Sequence, residues 1–333
     1  MLDILYTFDE CYAPFAGVSL SSLLSHNRDT ELRIFAITLG VCEQSRKRLQ
    51  EIAAANGRTV EFIDGKALAN EVNTLQLSPY RGSAAANLRL FFDRLLPPDV
   101  DRLLYLDCDT LVCDALKDLT ELDLGGKAIG AVRDSLTARY KPLLGLDKAQ
   151  SYYNSGVLLI DAKRWRESRL TERVKAFLQS NPTPLLFPDQ DLLNLALGDE
   201  ITPLPVQYNF QPHHRVFSDE AYFSAYPQQE YYAPAELQAA REHPCILHVY
   251  RFIGEFPWHG GKLHPDTALW DKELAGTPWR DLQREAPRRD MTIKIERILY
   301  RILPKRLFLQ LFAAVTTRNQ KKRIKALKKE KKQ

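Results

Sequence analysis

Short apolar runs alternate with helix-patterned segments from the first residues of the chain, and this alternation restricts the fold more than any other feature. "LDILYTF" is followed by "FAGVSLSSLLSH", "ELRIFAITLG", "EQSRKRLQEIAAANG" and "TVEFID", a β-α-β-α-β succession. Such a succession predicts an α/β fold with a mostly parallel sheet, right-handed crossovers and a ligand crevice at the strands' carboxyl ends. Further strands are expected at "RLLYLDCD", "AIGAVRD", "SGVLLID" and "CILHVY", each ending in or beside a polar residue. The Pro-, Tyr- and Gln-rich stretch 202–235 reads as long loops with little core.

"LLYLDCDTLV", residues 103–112, is the strand with the most to say about chemistry. It climbs through apolar residues and ends in Asp107 and Asp109, so both carboxylates would project into the crevice from alternate residues of one strand end. Two hard oxygen ligands suit a divalent cation that keeps its other positions for phosphate oxygens, as in a bound nucleoside diphosphate. A bare D-x-D is weak evidence. The string also resembles the first motif of haloacid-dehalogenase-like phosphatases, D-x-D-G-T-[LV], whose first Asp accepts phosphate; here the Gly before the Thr is missing, and nothing downstream matches that family's Lys and paired-Asp motifs convincingly.

Charge is unevenly placed. Residues 288–333 hold 16 Lys and Arg against 3 acidic residues, so a chain of net charge +4 has an acidic body and a basic tail. A linker is expected at Pro287 to Asp290, dividing the chain into a body, 1–287, and a tail, 288–333. In the tail, Ile295, Ile298, Leu299, Ile302 and Leu303, then Leu307, Phe308, Leu311, Phe312 and Val315, keep helical spacing ahead of "RNQKKRIKALKKEKKQ". An apolar stripe followed by a polybasic run reads as a peripheral anchor on an anionic membrane surface, with a packed helix and a solvated end as the alternative. Nucleic acid is not expected, because no aromatic platform accompanies the charge. Five cysteines without a C-x-x-C pair do not form a disulfide framework, and "MLDILYTFDE" lacks a basic leader, which fits a cytoplasmic protein. No apolar run reaches the length of a membrane span.

The motifs also occur in an order that resembles one family. "YTFDECYAPFAGVSLSSLLSH", "NLRLFFDRLLPPDVDRLLYLDCDTLV", "GAVRD", "YYNSGVLLIDAKRWR", "FPDQDLLNLAL", "YNFQP" and "ILHVYRFIGEFPWH" are similar to the blocks of the family 8 retaining glycosyltransferases, the class of bacterial lipopolysaccharide galactosyl- and glucosyltransferases and of glycogenin. The resemblance covers roughly residues 3 to 260. It implies a GT-A fold, a UDP-glucose or UDP-galactose donor, a saccharide or lipid-linked oligosaccharide acceptor, and a metal site holding manganese, or magnesium as the alternative.

Carried over by position, the resemblance places Asp107 and Asp109 on the metal and the donor, with His248 as third protein ligand; an imidazole in the set favours manganese over magnesium. It places Asp9 and Tyr12 at the uracil, Arg89 near the diphosphate, and Asp134 and Asn154 at the sugar hydroxyls. Read as plain structure, His248 is a core histidine, Arg89 pairs with Asp93 at i+4, and Asp134 and Asn154 form turns. In "FPDQDLLNLAL" Asp189 is available as a helix N-cap; the resemblance makes it a sugar ligand and puts Gln190 beneath the anomeric carbon. An amide is a poor nucleophile, which favours front-face attack over double displacement, with Asp191 or Asp189 as the dissenting covalent nucleophile. The family's Lys before "PW" is Phe256 here, and Arg251 is the nearest replacement for its charge. The resulting expectation is a metal-dependent hexosyltransferase of surface-glycan synthesis on the cytoplasmic face of the inner membrane. The alternatives are a phosphatase or a catalytically silent membrane-associated module.

Overall fold

The structure is a computed structural model and describes all residues except 76, 80, 81, 182, 183, 288, 289 and 331–333. The N-terminal alternation becomes β1 (Leu2–Asp9), β2 (Leu32–Leu39) and β3 (Val60–Asp64), separated by helices Ala13–His26 and Glu43–Ala54. These strands pair in parallel, and β4 (Arg102–Leu106) adds in parallel to the free side of β1. β5 (Thr110–Val112), β6 (Ile129–Arg133), β7 (Tyr153–Asp161), β8 (Ile201–Pro203) and β9 (Ile246–His248) follow. The main sheet has the order β3-β2-β1-β4-β7-β6-β8, in which β7 alone runs against its neighbours.

Both faces of this sheet are covered, which explains why β1 and β4 are apolar almost throughout rather than alternating with polar residues. The alternation decides instead which of two cores a side chain enters. Ile4, Tyr6 and Phe8 of β1 and Leu104 and Leu106 of β4 join the core beneath the Ala13–His26 helix, whereas Leu5, Leu103 and Tyr105 enter the opposite one with Phe91, Phe92 and Trp165. The order of strand addition reverses at the parallel pair β1 and β4, since β2 and β3 lie on one side of β1 and β4 on the other. A ligand crevice is expected at the carboxyl ends of that pair, where Asp9 and Asp107 stand.

"CILHVY" does form a strand, but outside the main sheet. β9 pairs antiparallel with β5 in a two-stranded ribbon whose register sets Thr110 opposite His248. The ribbon carries the histidine to the D-x-D from far along the chain, and the Val249 N–H closes it on the Asp109 carbonyl at 2.8 Å.

The stretch 202–235 corrects the expectation of loops with little core. It forms short helices, Pro212–Val216 and Asp219–Ala225, and buries Tyr208, Phe210, Phe217, Tyr222, Tyr226 and Tyr232. Aromatic rings bury large areas without a regular period, which hides such a core from periodicity. After residue 290, helices Met291–Ile302 and Lys305–Glu330 lie against this aromatic core through Phe308, Leu309 and Ala313. Farther along, Ile324 packs with Tyr140, Tyr152 and Leu186. The linker assigned from sequence includes residues 288 and 289, which lie outside the described residues.

Candidate active site

A cleft of about 800 Å³ opens at the carboxyl ends of β1 and β4. It is bordered by Asp9, Tyr12, Arg89, Asp107, Asp109, Asp134, Asn154, Asp189, Gln190, His248 and Arg251, and on its outer side by Ile295, Glu296, Leu311, Val315 and Arg323 of the last two helices. All the residues expected to hold metal, donor or sugar therefore share one cavity, apart from Asp191.

Asp107 follows β4 with its two oxygens in different surroundings. Oδ1 faces the Arg89 guanidinium at 2.8 Å and accepts from the Tyr105 hydroxyl at 2.7 Å, while Oδ2 lies 3.8 Å from His248 Nε2. Asp109 Oδ1 is 3.3 Å from the same nitrogen. Among the described residues, Asp107, Asp109 and His248 are the group of three whose ligand atoms all lie within 4.8 Å of one another. Two carboxylates and an imidazole this close fit a divalent cation. Burial raises the Asp107 pKa, with Arg89 opposing. Burial would lower that of His248, but Asp109 and Asp107 hold it above its ordinary value.

Arg89 does not pair with Asp93. Its buried guanidinium spans the floor between Asp107 and Asp189, donates to the Ser155 carbonyl at 2.7 Å and to that of Ala86, and stacks on the Tyr105 ring. A planar, always-charged fork suits this bridging task. The position holds the Asp107 carboxylate and the cleft wall that carries Asp189 in fixed relation.

On that wall, the Ser155 hydroxyl donates to Asp189 Oδ2 at 2.8 Å and the Ser155 N–H donates to Gln190 Oε1 at 3.1 Å. The latter contact turns the Gln190 amide nitrogen toward Asp134 Oδ2, 3.4 Å away. Asn154 Nδ2 donates to the same oxygen at 3.0 Å. Burial raises the Asp134 pKa against these donors. Asn194 grips both backbone groups of Tyr153, registering the helix Pro188–Leu197 against the start of β7. Asp189 is not that helix's cap: Phe187 occupies the position, and Asp191 Oδ2 reaches back to the N–H groups of Leu186 and Phe187. Proline at the first helical position, Pro188, sets the start two residues earlier than a capping Asp189 would. Asp191 is fully buried behind the cleft, where the hydroxyls of Tyr140 and Tyr152 also donate to it.

At the end of β1, Asp9 Oδ1 is buried with no hydrogen-bond partner among the described residues. Such an atom is costly unless a ligand donor completes it. Phe256, in the place of the expected Lys, stacks on Trp258, which stacks on Phe15 of the Ala13–His26 helix. Arg251 and Arg323 are the cleft's arginines besides Arg89, and Arg251 attracts Glu296 on the helix Met291–Ile302.

Four contributors escaped the sequence. Ser155 and Tyr105 orient the acidic groups, Asn209 meets His248 at 3.0 Å, and Gly156 leaves room for the imidazole, since a Cβ there would stand 2.1 Å from His248 Cε1. Asn209 and Gly156 lie inside blocks quoted above, but nothing in their spacing marks a contact made across the fold.

Comparison with known proteins agrees with this geometry. The profile of Glycosyl transferase family 8 matches residues 3–260. General stress protein A of Bacillus subtilis is 26% identical over 298 residues, covering 86% of this chain and 97% of that protein. Lipopolysaccharide 1,2-glucosyltransferase of Escherichia coli K12 is 27% identical over 288 residues, covering 84% and 79%. Among solved structures, galactosyltransferase LgtC in complex with donor and acceptor sugar analogues superposes with a TM-score of 0.69 at 24% identity, covering 84% of this chain and 96% of that one.

Proposed function

The chain belongs to glycosyl transferase family 8, and from that membership we propose that it transfers glucose or galactose from UDP to a saccharide acceptor, with retention and with a divalent metal. The observation carrying this reading is the triad of Asp107, Asp109 and His248, set within 4.8 Å on the same cleft as Asp134, Asn154, Asp189 and Gln190. Family membership sets aside the phosphatase reading of the D-x-D. A similar lipopolysaccharide glucosyltransferase supports an acceptor from surface-glycan synthesis.

Each wall has its task. Asp107 Oδ2, Asp109 and His248 Nε2 would hold the cation; when bound, manganese or magnesium would offset the charge gathering on the departing diphosphate. Asp9 Oδ1 has a vacant acceptor position for a base N–H, with Tyr12 beside it. Asp134, Asn154 and Asp189 offer acceptors and donors to sugar hydroxyls. Gln190, a neutral amide held by Ser155, fits stabilisation of a positively charged anomeric centre better than bond formation to it, which supports front-face attack. Asp191, with its oxygens occupied by four donors, fits a structural part. Arg251 on the cleft stands in for the missing Lys.

The tail's exposed face supports a peripheral membrane role on an anionic, cytoplasmic leaflet. Ile298, Ile302 and Leu307 are exposed away from the cleft, with Ile295, Leu311 and Val315 exposed at its edge, and a basic helix end follows. Among the described residues no helix is long and apolar enough to cross a membrane.

Calorimetric titration of UDP with and without manganese tests the reading. UDP should bind tightly only with metal, and Asp109→Ala should abolish that dependence together with transfer. A protein that binds no UDP under either condition is a silent module.

A further inference from the structure

Between the metal triad and the sugar wall lies a buried chain of side-chain amides. His248 Nδ1 is 3.0 Å from Asn209 Oδ1, Asn209 Nδ2 is 2.9 Å from Asn154 Oδ1, and Asn154 Nδ2 is 3.0 Å from Asp134 Oδ2. Asn209 is fully buried, and the other three are nearly so. Its place is fixed by main chain: the Phe210 N–H bonds the Ile246 carbonyl at 2.8 Å and the His248 N–H bonds the Phe210 carbonyl at 3.1 Å, so residue 209 arrives beside β9.

The direction of every bond in this chain follows from one backbone group. The Gly156 N–H lies 2.9 Å from Asn154 Oδ1, and an N–H can only donate, so that atom of Asn154 is its oxygen. The Asn209 atom facing the same oxygen must then be its NH2, which leaves the Asn209 carbonyl facing His248. A carbonyl only accepts, so Nδ1 carries a hydrogen; Nε2 faces two further acceptors, Asp109 and Asp107, and once the imidazole is neutral with its hydrogen held on Nδ1, the lone pair on Nε2 is the one turned to a cation between those carboxylates. The reasoning starts from Gly156 and is independent of the charge on Asp134.

We infer that Asn209 is a positioning residue that holds His248 in its metal-ready tautomer and, through Asn154, fixes the imidazole relative to the Asp134 carboxylate that borders the sugar side. Partners of this kind orient a ligating imidazole, and their loss typically weakens metal binding by about 10–100-fold. Asn209 does two jobs with its two ends, and two substitutions separate them. Leucine removes both ends. Aspartate keeps an acceptor for the Nδ1 hydrogen but opposes a carboxylate to the Asn154 oxygen.

The inference rests on the metal reading above, and the test separates the two. In metal-free wild-type protein labelled with ¹⁵N-histidine, at a pH where the imidazole is neutral, His248, assigned by the loss of its signal in His248→Gln, should show the Nδ1–H tautomer. Manganese titration followed by electron paramagnetic resonance should find affinity reduced by about 10–100-fold in Asn209→Leu and within about 3-fold of wild type in Asn209→Asp. Donor turnover should fall in both variants. An Nε2–H tautomer in the wild type overturns the inference even where Asn209→Leu fails to fold. So does wild-type manganese affinity in Asn209→Leu, or an equal loss in Asn209→Asp, which marks a packing role. A wild-type protein with the Nδ1–H tautomer and no manganese binding rejects the metal reading and leaves the tautomer assignment standing.

Discussion

Gln190 and Asp191 are neighbours in sequence with opposite surroundings, and substitutions should separate them cleanly. Gln190 borders the cleft with its carbonyl tied to Ser155. Gln190→Ala is expected to lower kcat by about 100-fold with little change in donor KM, the pattern of an interaction expressed at the barrier; trapping of a covalent sugar on Asp189 in that variant would instead point to double displacement. Asp191 serves stability. Burial pushes its pKa from 3.8 to about 6, against the donors Tyr140, Tyr152, Phe187 and Leu186. The native state therefore holds this proton more tightly than the unfolded chain does. The resulting stabilisation is complete below the unfolded value and is lost as pH rises through about 6, a change of up to about 3 kcal/mol. Asp191→Asn turns one acceptor into a donor facing N–H and O–H groups, so it should be destabilised at all pH values. Because the amide does not titrate, its deficit should be largest near pH 4 and narrow toward pH 7. Denaturant melts across that range decide it, and a gap that widens with pH would refute the assignment.

At the scale of elements, β4, β5, β7 and β9 assemble the site, and their legibility in sequence differs for physical reasons. The end of β4 was readable because a carboxylate pair closing an apolar strand is a local pattern. The ribbon of β5 and β9 was not, since pairing Thr110 with His248 is a long-range register that three-residue strands do not encode by period. For His248, a lone histidine reads first as a core residue; the D-x-D and the downstream "PWHG" reverse that preference toward a metal ligand, and the fold then sets it beside Asp107 and Asp109. The stretch 202–235 misled for the opposite reason: Pro, Tyr and Gln suggest loops, yet the tyrosines pack, and Tyr222 and Tyr232 find buried carbonyl partners in Ser135 and Leu204. Gly156 shows how close β7 comes to β9. A methyl added there would meet the His248 ring and stand 2.9 Å from Asp107 Oδ2. Gly156→Ala should thus cost about 1–3 kcal/mol of stability through overpacking and weaken manganese binding, whereas Gly198→Ala, whose added Cβ would meet no atom within 4 Å, should do neither. Equal manganese affinity in both variants would mean that the imidazole has more freedom than this packing permits.

Across the whole molecule, the last two helices link the cleft border to the face proposed for membrane contact. They present Phe308, Leu309, Ala313 and Ile324 to the body, set Leu311 and Val315 at the edge of the cleft, and leave Ile298, Ile302 and Leu307 exposed away from it. The Glu255 carboxylate, fully buried, pairs with Arg297 and clamps the first of these helices to the loop that follows β9. A chain ending before Arg288 would uncover Phe217, Tyr222 and Phe252 and strip the outer wall of the cleft, so it should lose stability together with any membrane affinity. Truncation therefore cannot isolate the proposed anchor, whereas substitutions on the outward face can. Replacing Ile298, Ile302 and Leu307 with serine removes exposed apolar surface, leaving the inward contacts and the cleft in place. The triple variant should melt within a few degrees of the parent and transfer sugar to a soluble acceptor at a similar rate. It should bind anionic liposomes more weakly, because the stripe and the basic run act together and each basic group near the surface adds about 1 kcal/mol. Raised salt should then release the variant more completely than the parent, since screening acts on charge and the parent retains its stripe. Undiminished liposome binding by the triple variant at high salt would show that these side chains face water and the membrane role belongs elsewhere.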